Sequence, residues 1–183
     1  MIRLDIQARE FQAIAREFDA SERDLRAAFS RALGRTSRTM QTQARKALRE
    51  GLDLRAASIL RTRMRLRRFR PRGADLGAAQ LWVGLNDLPA TAFKGTPRAT
   101  ASGVSVGGRS FDGAFIGRGQ GSGSRIVFQR RGRERLPIRV VTAPIKEAAD
   151  AILDRQVYAE AMDVMMRNFR AEVRARTIYG VGS

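Results

Sequence analysis

Apolar residues recur with a period of two through much of the middle of the chain, which predicts β-strands, and with helical spacing towards both ends. The clearest pair of strands lies in residues 127–145, VFQRRGRERLPIRVVTAPI, where a basic segment separates two apolar runs. This stretch is typical of a structural hairpin that leads into a C-terminal helix. Its apolar residues predicted to face the core are Phe128, Leu136, Ile138 and Val140.

Two residues of this hairpin carry specific geometric information. Gly132 lies in the basic turn, where a tight hairpin requires the positive φ that glycine adopts readily. Pro137 cannot donate a ladder hydrogen bond, so the second strand is predicted to lie at a sheet edge or to begin there. The arginines of the turn are Arg130, Arg131, Arg133 and Arg135, and they share it with a single glutamate.

Helices are predicted near both ends of the chain. A short strand from Ile2 to Ile6 precedes a helix over about residues 8–19, and a longer helix starts at the capping residue Ser21 and stops near Gly51. A second long amphipathic helix runs from Ile145 towards the C-terminus. The polar face of the first long helix carries Arg23, Arg31, Arg35, Arg38 and Arg45.

Arginine occupies every second position in the run RTRMRLR, and a strand would place these arginines on one face. Such a row could follow the phosphates of a nucleic acid. It could equally be a solvated face that pairs with acidic residues of neighbouring subunits, and both hypotheses stay open at this point. The arginines of the row are Arg61, Arg63, Arg65 and Arg67.

The next predicted strand, residues 80–85, contains the one tryptophan, Trp82. Its neighbours are aliphatic, which favours an anchor in a core or an interface over a platform for stacking bases. Residues 90–124 are rich in glycine, serine and threonine and are predicted to form a long loop or an extended hairpin. The elements together predict an α+β fold in a single domain, residues 1–183, with a mostly antiparallel sheet of about five or six strands packed against the two long helices.

Composition excludes several kinds of chemistry. The 183 residues include no cysteine and no histidine, so disulfides, thiol chemistry and imidazole catalysis are excluded. No group of carboxylates has the spacing of a metal site, and we expect no enzyme, no metal and no cofactor. No apolar run approaches the roughly 20 residues that span a bilayer, so we expect no membrane partner.

The net charge of +17 comes almost entirely from arginine. Such an excess attracts polyanions and opposes compaction unless a partner neutralises it, and either nucleic acid or an acidic neighbouring protein would do so. A free-standing cytoplasmic nucleic-acid-binding protein is therefore one hypothesis, although no recognised helix-turn-helix, RNA-recognition or zinc motif is present. A GC-rich genome would also favour arginine, without functional meaning.

Three segments resemble the phage minor tail protein Z family and, more loosely, the small tail-completion proteins of long-tailed phages. They are residues 82–93, WVGLNDLPATAF, residues 103–116, GVSVGGRSFDGAFI, and residues 127–141, VFQRRGRERLPIRVV. Arg131 departs from the family pattern, where a small or hydroxylated residue is usual. The resemblance extends from about Arg23 to the end of the chain. The pattern V-F-x-R-x-G-x-x-R-L-P-I is matched by Val127, Phe128, Arg130, Gly132, Arg135, Leu136, Pro137 and Ile138.

The resemblance implies a structural virion protein that acts in tail completion at the head-proximal end of a tail and in head–tail joining. Rings of identical subunits, hexameric by this resemblance, would surround the DNA channel. The implied partners are further copies of the chain, neighbouring tail and connector proteins, and double-stranded DNA in the lumen. The implied location is the virion tail, with assembly in the host cytoplasm. The arginine row or the hairpin tip would face DNA or acidic neighbours, and structural roles would fall to Trp82, Phe128, Gly132, Leu136, Pro137 and Ile138.

Overall fold

A computed structural model describes residues 2–4, 8–70, 76–119 and 123–180, with side chains from residue 12 onwards. The helices of this part of the chain are α1 Ala8–Phe18, α2 Glu22–Gly51, α3 Lys146–Leu153 and α4 Ala161–Thr177. Two 3₁₀ segments, Ala57–Arg63 and Ala90–Ala92, and one π-helical segment, Asp154–Tyr158, complete the helical elements. The predicted C-terminal helix thus consists of α3, the π-helical segment and α4.

The strands are short and antiparallel. Their bounds are β1 Ile2–Leu4, β2 Met64–Phe69, β3 Ala78–Val83, β4 Leu88–Pro89, β5 Arg98–Ala99, β6 Gly103–Val106, β7 Arg109–Asp112, β8 Ala114–Arg118, β9 Arg125–Arg130, β10 Ile138–Val140 and β11 Thr142–Ala143. They form sheets in the orders β1-β3-β2, β5-β6-β7 and β10-β9-β8, and a pair β11-β4. The predicted α+β class is confirmed, but several small sheets replace the expected single sheet, because turns interrupt the strands after a few residues.

The chain divides into two compact units. The helical unit comprises Met1–Arg45, Arg63–Gly84 and Leu153–Ser183, and the strand unit comprises Lys46–Thr62 and Leu85–Ile152. The organisation as one domain stays a prediction. No helix in the described part of the chain has the length and apolar character needed to cross a membrane.

In the helical unit, α2 and α4 bury the aromatic pair Phe29 and Phe169, whose rings meet edge to face with centroids 5.6 Å apart. Asn168 Nδ2 donates a hydrogen bond of 2.9 Å to Oγ1 of the buried Thr36, which satisfies a polar group within this packing. The predicted cap of α2 is confirmed, since Ser21 Oγ accepts a hydrogen bond from the Asp24 N–H at 3.2 Å.

In the strand unit, a small aliphatic core lies beneath β6, β8 and β9. Its buried residues are Ala90, Val104, Val106, Ala114, Val127 and Val141. β6 and β7 are joined by Gly107 and Gly108, which have φ values of 57° and 76°. Two successive positive φ angles define the hairpin turn whose twist suits antiparallel strands, and glycine adopts them without steric cost. Residues 90–119 therefore contain paired strands, which agrees with the predicted extended hairpin and not with the alternative of one long loop. Residues 120–122 of the predicted glycine-rich tip lie outside the described residues.

The hairpin of β9 and β10 differs from its prediction in two respects. Leu136, Ile138 and Val140 are 67%, 40% and 42% exposed, so their predicted place in the core is wrong. Phe128 is only half-buried. Cross-strand register puts Val140 opposite Phe128, on the face turned away from the buried Val127. The period of two assigned the residues of each strand to two faces correctly. The buried face is the one that includes Val127, and not the predicted face that includes Phe128 and Val140.

The turn of this hairpin is wider than predicted. Residues 131–137 form an exposed bend, and the φ angle of Gly132 lies outside the left-handed region. A tight two-residue turn would have required that conformation, and a longer bend does not. The prediction for Pro137 is confirmed: β10 begins directly after it and is an edge strand of its sheet.

The arginine row is also divided between two elements. β2 begins only at Met64, so Arg61 and Arg63 belong to the preceding 3₁₀ segment, and the prediction that they lie on a strand is wrong. Arg65 and Arg67 are on the strand, and both point away from the buried side that Met64 faces. The alternation of arginine with other residues thus predicted a strand correctly for two of its four arginines.

Candidate interaction surfaces

The eight arginines predicted to contact DNA or partners are not equivalent. Arg61 is exposed on its 3₁₀ segment, whereas Arg63 is half-buried and its carbonyl accepts the Gly84 N–H at 2.7 Å. Arg65 and Arg67 are exposed on one face of the helical unit. The others lie in the strand unit, at the end of β9 or in the exposed bend that follows: Arg130, Arg131, Arg133 and Arg135.

The first candidate surface is the outer face of β2 and β3, which we call the Arg–Trp face and define by Arg65, Arg67, Gln80 and Trp82. Arg65 lies directly opposite Trp82 in the ladder, and Arg67 lies opposite Gln80. The four side chains line a depression of about 330 Å³. Guanidinium groups beside an aromatic ring are a combination found where proteins bind nucleic acids and where they bind other proteins.

Trp82 itself is 44% exposed, which rules out the predicted core position and leaves the interface anchor and the stacking platform as alternatives. Gly84 explains how the ring reaches this position. A Cβ atom on Gly84 would come within 2.8 Å of the Trp82 ring, so the ring rests against bare backbone. The family segment that begins at Trp82 therefore contains a glycine that this ring position requires.

The second candidate surface is the uncovered face of the sheet β10-β9-β8, which we call the open face. It carries Phe115, Phe128, Ile138 and Val140, with Arg130 among them. The rings of Phe115 and Phe128 lie 6.0 Å apart, and the Arg130 guanidinium lies 5.4 Å from the Phe115 ring centroid. β10 forms the edge of this sheet, so its outward backbone groups are available to another strand.

The basic bend adjoins this edge. Arg131 N–H donates to the Pro137 carbonyl at 3.1 Å, and a long contact of 3.5 Å joins the Arg130 guanidinium to the Glu134 carbonyl. These few contacts close the base of the bend and leave its side chains exposed. The bend thus presents positive charge next to an apolar edge, a combination suited to binding a protein neighbour.

A third surface was missed by the sequence analysis. Arg31, Arg35 and Arg38 of α2 line a hollow of about 390 Å³, together with Arg68 from β2 and Glu172 from α4. We call it the basic hollow; Ser30 and Gly34 complete its lining. The helical spacing of the three α2 arginines was visible in the sequence. No local pattern could show that Arg68 and Glu172 meet them.

These surfaces provide positive charge, aromatic rings and exposed apolar area. Among the described residues, no group of three or more side chains is arranged to hold a metal ion. Positive charge suits these surfaces to polyanions, and aromatic and apolar area suits them to protein neighbours.

Comparison with known families gives one result. The family model described as Prophage minor tail protein Z (GPZ) matches residues 12–177, which is most of the chain. No curated protein and no solved structure matches the chain significantly. The matched range includes the Arg–Trp face, the open face and the basic hollow.

Proposed function

Because the chain belongs to the prophage minor tail protein Z family, we propose that it completes the head-proximal end of a phage tail and joins the tail to the head as a homo-oligomeric ring around the DNA channel. The observation that carries the proposal is the family match over residues 12–177. Membership confirms the predicted resemblance and gives the chain a structural role in a phage tail, among other virion proteins.

The open face and the β10 edge support self-association. Ile138 and Val140 expose apolar side chains on a strand whose outer hydrogen-bonding groups have no partner strand in the described sheet. Such an edge readily accepts a further strand from another chain. A second copy that binds this edge with a different part of its own surface makes a head-to-tail contact, and contacts of this kind form a ring when the rotation between successive copies closes.

The net charge supports a ring around DNA. Copies of a chain with a charge of +17 repel each other, so a closed assembly requires a source of negative charge. Double-stranded DNA supplies about one negative charge per 1.7 Å of its axis. We propose that Arg65 and Arg67 of the Arg–Trp face turn towards this DNA, while the basic bend contacts acidic groups of a neighbouring protein.

The test combines the oligomeric state with the position in the particle. We expect electron microscopy of the purified protein or of intact tails to show a closed oligomer, located at the head-proximal end. The double substitution Ile138→Lys/Val140→Lys should abolish the ring and leave the circular dichroism spectrum unchanged, because it adds charge to exposed edge positions only.

The matched control is Ile178→Lys/Tyr179→Lys, which adds the same two charges at exposed residues in the turn after α4. This variant should still form the ring. A wild-type protein that is strictly monomeric and absent from purified tails would contradict the proposal. Equal loss of the ring in the control would exclude β10 as the contact edge.

A free-standing cytoplasmic nucleic-acid-binding protein is the second candidate. The exposure of Trp82 beside Arg65 favours it, because an aromatic ring flanked by guanidinium groups can stack on bases. Binding to bare DNA would not separate the candidates, since both predict it. Co-purification with tail proteins would identify the tail protein, and its absence from particles would favour the second candidate.

A further inference from the structure

We propose that the basic hollow of the helical unit is a binding site for a phosphate group. The hollow is a separate surface from the arginines considered so far for DNA contact, and its lining comes from α2, β2 and α4. Four guanidinium groups line it, and one carboxylate neutralises part of their charge.

The convergence begins with helix geometry. Arg31, Arg35 and Arg38 follow one another at spacings of four and three residues, so they share one face of α2. Gly34 lies on the same face and has no side chain to fill the space. A Cβ atom there would come within 3.1 Å of Arg68 Nη1, so the glycine lets the Arg68 guanidinium lie directly against the helix.

Arg68 is held in this position by the backbone. Its Nη2 donates a hydrogen bond of 2.9 Å to the carbonyl of Ser30, one turn before Gly34. The same Nη2 also lies 3.5 Å from Ser30 Oγ. One nitrogen of Arg68 is thus used to fix the guanidinium, and the three donors of Nη1 and Nε remain for other contacts. A pre-positioned arginine loses less side-chain entropy on binding than a free one, which favours its use as a ligand-binding group.

Only part of the positive charge of the hollow is neutralised by the protein. Glu172 is buried, and its Oε1 lies 2.8 Å from Arg35 Nη2. This pair orders Arg35 at the wall of the hollow. Neither Arg31 nor Arg38 has an ion pair with any residue that the structure describes, so these two and Arg68 face a site that contains a single carboxylate.

A phosphate group matches the positive charge that the protein leaves without an ion pair in the hollow. Phosphate carries up to two negative charges and several acceptor oxygens, and guanidinium groups bind it through parallel N–H···O bonds. A single carboxylate from a peptide would leave most of the charge unpaired. The volume of about 390 Å³ is within the range of small-ligand sites and exceeds what one carboxylate would fill.

The phosphate can belong to the backbone of DNA or to a small phosphate compound, and the site chemistry is the same in both cases. The inference does not depend on ring formation or on a location in the tail, since a purified monomer would contain the complete hollow. Its failure is therefore distinguishable from the failure of the proposed function.

The experiment titrates the purified full-length protein with pyrophosphate, by isothermal titration calorimetry at about 50 mM NaCl, where screening is weak. The test variant is Arg31→Gln/Arg38→Gln. Arg35 is left in place, because its removal would leave the buried Glu172 unpaired and would destabilise the fold. The control is Arg167→Gln/Arg174→Gln, which removes the same charge from exposed positions of α4 outside the lining of the hollow.

We expect the wild type to bind pyrophosphate and the test variant to bind about tenfold more weakly or worse, because charge-assisted hydrogen bonds are lost. The control should change affinity by no more than about twofold, since Arg167 and Arg174 are not part of the lining and make no hydrogen bond to a ligand in the hollow. Absence of binding by the wild type, or an equal loss in both variants, would overturn the proposal. Thermal unfolding of both variants checks that the fold is retained.

A second arm identifies the source of the phosphate. A duplex of about 20 bp is titrated into the same proteins, with and without pyrophosphate as competitor. If the test variant loses duplex affinity beyond the control and pyrophosphate competes, the DNA backbone is the ligand. If only pyrophosphate binding is lost, the ligand is a small phosphate compound. Both results support a phosphate site.

Discussion

Val127 and Val140 have the same side chain on neighbouring strands of one sheet, yet Val127 is 1% exposed and Val140 is 42% exposed. At the scale of single residues, these two valines allow the energetic effect of burial to be compared for one and the same side chain. Val127 lies within the aliphatic core of the strand unit, and Val140 lies on the open face. Their truncation should therefore have different costs.

We predict that Val127→Ala lowers the free energy of unfolding by about 2 kcal/mol, through lost apolar burial and the cavity that remains. Val140→Ala should cost less than about 1 kcal/mol, because it removes exposed methyl groups and only the strand propensity changes. Denaturant unfolding, monitored by circular dichroism under conditions where the protein is monomeric, gives both values. Equal costs would mean that other parts of the monomer cover Val140 on the open face.

At the scale of elements, β2 shows how one strand serves two surfaces. Arg67 and Arg68 are adjacent in sequence, so their side chains leave opposite faces of the sheet. Arg67 joins the Arg–Trp face, and Arg68 crosses to α2 and lines the basic hollow. Binding at the two surfaces can therefore be measured separately.

The single tryptophan makes the Arg–Trp face observable. We predict that duplex DNA changes the fluorescence of Trp82, because DNA bound between Arg65 and Arg67 would cover an indole ring that is 44% exposed. The variant Arg65→Gln/Arg67→Gln should lose this signal and lower the slope of log affinity against log salt by roughly two phosphate contacts. The control is Arg31→Gln/Arg38→Gln, which leaves the face intact and should retain the change in Trp82 fluorescence. Unchanged fluorescence during saturating binding by the wild type would exclude this face as the DNA contact.

At the scale of the whole molecule, charge is the dominant feature. The chain carries 35 basic and 18 acidic residues, and the ion pairs among its described residues are mostly exposed. Exposed pairs contribute only about 0–1 kcal/mol each. Repulsion within the excess of arginines opposes folding, and we expect it to outweigh the contribution of these pairs.

We accordingly predict that NaCl stabilises the isolated protein. NaCl screens the repulsion between the arginines. If this screening raises the free energy of unfolding by about 1 kcal/mol, Tm should rise by about 2–4 °C for a chain of this size. Differential scanning calorimetry over a series of NaCl concentrations measures the effect. The variant Arg167→Gln/Arg174→Gln has a lower net charge and should show a smaller rise. A fall in Tm with NaCl would mean that the ion pairs outweigh the repulsion.

The sequence by itself determined the features that depend on near neighbours along the chain. Helical spacing located α2, Ser21 marked its cap, the alternation located the hairpin of β9 and β10, and Pro137 marked an edge strand. The motif of that hairpin also carried the family resemblance. These signals are local, because backbone conformation and capping depend on residues a few positions apart.

Only the tertiary structure decided which faces are covered and which distant side chains meet. The alternation in the hairpin fits either face inward, and packing against β6 and the 3₁₀ segment Ala90–Ala92 selected the face of Val127 over that of Ile138. The basic hollow likewise required Arg68 and Glu172 to reach α2 from remote parts of the chain. Burial and charge convergence depend on non-local packing, so the sequence pattern could indicate the surfaces of each element but not their neighbours.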